Sequence, residues 1–204
     1  MDAGRDLFAA AGYAATSLRQ VAIAAGVTPA LAHYYFKDKA GLLEAMVRER
    51  IAPLMDEMQT ALEQHGTDAV AALAGFVQQF TLMSSRHPWL PQLLLRELAA
   101  ATGERDTDAR FAATRIMRPL IERLQSLVMA GQAGKAIRSD LRAESVVLSV
   151  LSLCAFPFLV GNALRKDLGL RVDASVAPGM TLHHLAVLQD GLKPRARAPR
   201  ESLP

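Results

Sequence analysis

The stretch "TSLRQVAIAAGVTPALAHYYFKDK", from Thr16 to Lys39, constrains the fold more than any other part of the chain. Ser17 and Gln20 form an S-x-x-Q capping box, which places a helix start immediately after Ser17. Val21, Ala22 and Ala25 carry that helix to Gly26. Thr28 then offers a second N-cap, with Pro29 at the first helical position. Two short helices therefore meet with only Gly26 and Val27 between them, and the second runs from Pro29 to about Tyr35. Such a pair is a helix-turn-helix, whose second helix presents its N-terminal end to a DNA major groove. The residues on that helix suit the task. His33 and Tyr34 each offer a flat apolar face with a hydrogen-bonding tip, useful against phosphates, base edges and thymine methyls. Lys37 and Lys39 follow at the start of the next helix, where Asp38 is the cap, and are placed for backbone phosphates.

The remainder reads as helix almost throughout. Period-two alternation is absent, and the expected architecture is all-α with about nine helices. The first covers Ala3 to Ala11 and stops at Gly12. The fourth starts at Lys39 and should kink or break at Pro53, the pattern resuming to about Gln64. Five more follow, over approximately 68–86, 91–101, 109–130, 143–167 and 178–192, with the polar stretch "ATGERDTD" between the second and third of these. Residues 1–45 are expected to form the DNA-binding domain and 46–192 a helical ligand-binding and dimerisation domain. Residues 193–204 read as a disordered basic tail that can graze phosphates or simply solubilise the end.

Composition removes several classes. Apolar residues make up 51% of the 204, ample for a core. The net charge of +3 equals that of the tail alone, so any basic surface on the body must be a local patch. Cys154 is the only cysteine and can form no internal disulfide, which fits a reducing cytoplasm. No export signal is read at the N-terminus. Ser145 to Leu164 is uncharged over the length of a membrane span, but its serines, Pro157, Gly161 and Asn162 point to a helix buried in a bundle or between subunits. No membrane association is expected.

An enzyme is not expected either. His183, His184, Asp190 and Cys154 could be assembled on paper, but adjacent histidines on a helix diverge by about 100°. HExxH, GxSxG and P-loop motifs are missing, and no cofactor or metal is expected.

The frame LF…GY…TS…VA…AGV…YYF…K…LL within "LFAAAGYAATSLRQVAIAAGVTPALAHYYFKDKAGLLEAMV" resembles the DNA-binding domain of the tetracycline-repressor (TetR) family of bacterial regulators. "RHPWLPQLLLREL" and "GKAIRSDLRAE" resemble segments of one broad branch of that family. The resemblance implies an all-helical homodimer with three DNA-binding helices at its N-terminus and a larger C-terminal part that binds a small ligand. It places Ser17 or Thr16 against a phosphate, Thr28, Pro29, Ala30 and Leu31 at the leading end of the recognition helix, His33 and Tyr34 at DNA-contacting positions, and Lys39 against a phosphate. Phe36 should pack inward, and Tyr35 could go either way. Only Arg5 is basic before Gly12, where the family has a basic arm, so weaker phosphate contact is expected.

An effector cavity is expected among the helices from 68 to 167, walled by Phe76, Phe80, Met83, Trp89, Leu93, Phe111, Met117, Cys154 and Phe158, and suited to a small, fairly apolar ligand. Arg96 and Glu97 would orient a polar group on that ligand or form a surface ion pair. A filled interior would favour a DNA-binding regulator without a small-molecule effector. The last two helices are apolar over much of their surface and would pair with their symmetry mates in the homodimer, supplying two half-site readers for a double-stranded operator.

Overall fold

The computed structural model describes residues 1–99 and 108–194, without the side chains at 109–111 and 162–165. All of the "ATGERDTD" stretch but its last residue, Asp108, and most of the tail thus lie outside the described residues, as does the Phe111 side chain. Among the described residues all regular structure is helical: α1 Asp2–Ala11, α2 Leu18–Ala24, α3 Pro29–Phe36, α4 Lys39–Met46, a π-helical turn Val47–Ile51, α5 Ala52–Glu63, α6 Ala69–Arg86, α7 Trp89–Ala99, α8 Asp108–Ala133, α9 Ala143–Leu168 and α10 Ala177–Leu192.

The ends of the first helices are written in local chemistry. Gly12 takes φ 89° and its N–H donates to the Phe8 carbonyl at 2.9 Å, stopping α1. The Ser17 hydroxyl accepts from the Gln20 N–H, and the Gln20 side chain accepts from the Ser17 N–H, completing the capping box. Thr28 caps α3 and Asp38 caps α4. The helix expected to kink or break at Pro53 is divided in two. Pro53 has no N–H and its ring crowds the carbonyl four residues back. The chain answers by widening to a π turn over Val47–Ile51 before α5 resumes.

The helix α6 is the centre of the body. It packs against α5, α8, α9 and α10, and Phe76 and Val77 are fully buried along it. Helix α9 lies on this core through Val146, Val147, Val150, Cys154 and Phe158, all buried at roughly one-turn spacing. The span Ala143–Gly161 is long and apolar enough to cross a membrane, yet this stripe packs it against the body. Its opposite face leaves Leu148 and Phe156 exposed.

The three-helix head joins the body in two ways: covalently through α4, and by packing of α1 against α7. Gly41 is the tightest point in the head, because a Cβ there would collide with the Phe36 carbonyl oxygen. Replacing a helical glycine by alanine ordinarily stabilises by about 1 kcal/mol. Overpacking costs about 1–3 kcal/mol and here acts on backbone, so it should win. We expect Gly41→Ala to lower the unfolding midpoint in urea. A raised midpoint would show that α3 and α4 can separate freely.

Candidate nucleic-acid interface

Helix α3 has eight residues and only Ala32 is buried. Its side chains otherwise face outward or sideways, and it packs mainly against α2 and α4. Tyr34 is 82% exposed and Tyr35 70% exposed, with their rings 5.5 Å apart in an edge-to-face pair. Ile23 on α2, Val27 in the turn and Leu31 on α3 are further exposed apolar side chains of the head. A surface that is apolar yet tipped with hydroxyls and an imidazole suits contact rather than solvation.

The imidazole of His33 is held in one orientation. Its Nδ1 lies 2.8 Å from the Lys37 carbonyl oxygen. A carbonyl can only accept, so Nδ1 carries the proton and Nε2 faces outward, an acceptor when the ring is neutral and a donor when it is charged. Lys37 itself sits at φ 63°, a left-handed conformation unusual for a lysine, and its N–H donates to the His33 carbonyl. The His33–Lys37 pair of bonds therefore closes the C-terminal end of α3.

The sequence-expected contact residues separate into two groups. Ser17, Thr28, Pro29, Ala30, Leu31, His33, Tyr34 and Lys37 are exposed on the head. Thr16 is a correction: it is 4% exposed, and its hydroxyl donates to the Gly12 carbonyl at 2.8 Å. That hydroxyl closes the α1–α2 turn from within, leaving Ser17 as the outward residue of the pair. Lys39 is half-buried. Its ammonium donates to the Tyr13 carbonyl at 2.9 Å and lies 4.2 Å from the Tyr13 ring centroid, which leaves donors free on its outer side. Phe36 packs against the core as expected. Tyr35 goes outward, because Ala32 and Phe36 take the inward positions one turn apart.

The expected cavity wall also needs correction. Phe76, Phe80, Met83, Leu93 and Cys154 pack into the core, with the Phe76 and Phe80 rings 5.5 Å apart, and Met117 lies partly buried against it. The reason is the central place of α6, which is enclosed by four other helices. Burial pushes the Cys154 thiol up to about 12, so it stays protonated. Among the described residues of the expected wall, only Trp89 and Phe158 line a large cleft. This cleft, about 880 Å³, opens between α1, α7 and α9 and is also bordered by Asp6, Gln92, Leu95 and Arg96. Glu97 does not sit in a surface pair. It is buried and accepts from the Tyr13 N–H at 2.9 Å. His183 is exposed and His184 buried, so the two imidazoles do not converge.

A capped helix-turn-helix with an open recognition helix, carried on a helical body, defines a protein that reads duplex DNA. Comparison with known proteins agrees. Residues 1–46 match the family described as bacterial regulatory proteins, tetR family, and residues 67–179 match the tetracyclin repressor-like C-terminal domain. A 75-residue stretch is 36% identical to the HTH-type transcriptional regulator BetI of Rhizobium meliloti (strain 1021), covering 36% of this chain and 37% of that protein. Among solved structures, the fold is shared with the TetR-family regulator PfmR of Thermus thermophilus (TM-score 0.69, 19% identity, 96% and 95% of the two chains). It is shared too with the ketosteroid transcriptional regulator KstR2 of Mycobacterium tuberculosis (0.67, 16%, 94% and 92%). A third is the fatty acid degradation regulator FadR of Bacillus halodurans (0.62, 18%, 90% and 91%). The chain belongs to the TetR family and is a DNA-binding transcriptional regulator.

Tyr34 makes no core contact that its loss would expose, so Tyr34→Ala should leave the unfolding midpoint unchanged. Its affinity for a selected duplex should fall about 5- to 150-fold, the range of a good base contact. Fluorescence anisotropy with a labelled duplex measures this, and unchanged affinity would remove Tyr34 from the interface.

Proposed function

We propose that this regulator is a repressor that binds an inverted-repeat operator as a homodimer and leaves it when a small, fairly apolar effector occupies the cleft between α1, α7 and α9. The observation that carries the DNA half of this reading is the exposed face of α3, with Tyr34 and the oriented imidazole of His33 beside Ser17, Thr28, Leu31, Lys37 and Lys39. Selection of bound duplexes from a random pool at near-physiological salt should enrich an inverted repeat. A folded protein that enriches none would contradict sequence-specific reading.

The effector half rests on where the cleft lies. At about 880 Å³ it falls within the range of small-molecule sites. Trp89, Leu95 and Phe158 give it apolar walls, and Gln92 and Arg96 give it polar points. Asp6, Ala9 and Ala10 of α1 form one wall, so an occupant touches the DNA-binding head and the body together. An effector that prefers one spacing of head and body shifts the population toward it. The packed interior around Phe76 and Phe80 is what a regulator without an effector would also show; the cleft is the observation against that alternative. Trp89 is the only tryptophan, so its emission reports occupancy directly. An effector of this kind should change Trp89 emission and release the duplex over the same concentration range.

The dimer is proposed through α9 and α10. Leu148 (64% exposed), Phe156 (58%) and Leu182 (71%) lie on their open faces, with Ser149, Ser152 and Ala186 as small neighbours. Two such helices and their symmetry mates make a four-helix interface. Charges placed in its middle should split it. Leu148→Glu combined with Leu182→Glu is expected to sediment as a folded monomer and to lose operator affinity with the second reading head. A variant that remains dimeric would move the interface elsewhere.

A further inference from the structure

We propose that Tyr13 is a positioning residue for DNA binding, through which α7 and α8 of the body set the place of the Lys39 ammonium on the head. Every polar group of this residue is engaged, and the partners divide by side. Toward the body, the Tyr13 N–H donates to Glu97 Oε1 at 2.9 Å and the hydroxyl donates to Asp108 Oδ2 at 3.0 Å. Toward the head, the carbonyl accepts from Lys39 Nζ at 2.9 Å and from the Thr16 N–H at 3.2 Å, and the ring lies under the Lys39 ammonium. Phe8 holds the ring from behind, with centroids 5.3 Å apart.

The link is stiff for a physical reason. Tyr13 is 5% exposed and Glu97 4% exposed, so their hydrogen bond is made away from competing water. Gly12 lets α7 come close: a Cβ there would meet Arg96 Cδ at 3.3 Å and Glu97 Oε1 at 3.7 Å. A movement of α7 therefore cannot be absorbed by slack at this turn. Glu97 leads α7, Tyr13 follows Glu97, and the Lys39 ammonium follows the Tyr13 carbonyl and ring. The same α7 lines the cleft with Trp89, Gln92 and Arg96, so one helix both borders the cleft and holds the Tyr13 bond. This deepens the reading above and rests on its assignment of Lys39 to a phosphate.

The test needs neither operator nor effector, because a phosphate contact acts on any duplex. Full-length wild type, Lys39→Met, Glu97→Ala and the double variant are titrated with a mixed-sequence duplex over a range of low salt. Glu97→Ala should weaken binding roughly 3- to 30-fold in the wild-type background and have little further effect once Lys39 is Met. Its salt slope should drop to that of Lys39→Met, a fall of about two per dimer. Glu97→Gln keeps an oxygen for the Tyr13 N–H and should restore binding. Equal losses in both backgrounds, or an unchanged slope, would overturn the proposal and leave Glu97 a purely structural residue. If Glu97→Ala loses its helical circular dichroism, Tyr13→Phe and Asp108→Ala break the other bond and enter the same cycle with the same two outcomes. A wild type that binds no duplex would overturn the DNA assignment itself, a result distinct from additivity.

Discussion

An eight-residue helix that buries Ala32 fully and Phe36 only in part is held weakly by hydrophobic packing. Everything the head can do with DNA depends on α3 being held all the same, and it is held by its ends. Thr28 accepts from the Leu31 N–H at the start, with Pro29 already set at a helical φ. At the finish, Lys37 turns left-handed, its N–H closes on His33, and the His33 ring closes on the Lys37 carbonyl. Asp38 then starts α4 at once. Each cap contributes about 1 kcal/mol, which adds to the contacts of Ala32 and Phe36. The exposed face is left free of structural duty, so its residues can be chosen for what they touch.

The body solves a different problem. It surrounds α6 with four helices and fills that centre with phenylalanine, leucine and valine. A packed centre of this kind transmits displacement instead of absorbing it. The open space is left at the margin, between α1, α7 and α9, where the head meets the body. The head is thus tied to the body by the covalent path through α4 and by the contact of α1 with α7. The π turn lies on the first path and the Tyr13–Glu97 bond on the second.

Local chemistry was the legible part of the sequence. Ser17 with Gln20, Thr28 with Pro29, and Asp38 each announce a helix start within a few residues, and the structure puts helices there. Three things were not legible. Pro53 signals a break but does not choose between a kink and a π turn, since that depends on what the carbonyls before it can reach. Phe76, Phe80, Met83, Leu93 and Cys154 have the composition of a pocket and of a core equally, and only the helices around α6 decide. The Tyr13–Glu97 bond joins residues 84 apart, so no local pattern could reveal it. Thr16 and Ser17 show the limit most sharply: two adjacent hydroxyl residues, both suited to a phosphate, of which the turn claims one.

The central claim is that the exposed face of α3 enters a major groove. An iron chelate attached at Leu31→Cys measures this directly, because the native Cys154 is buried and will not compete for the label. Cleavage of a bound duplex should fall in two clusters related by a two-fold axis, with the strand stagger of a major-groove source. Diffuse cleavage, or the opposite stagger of a minor-groove source, would contradict the account.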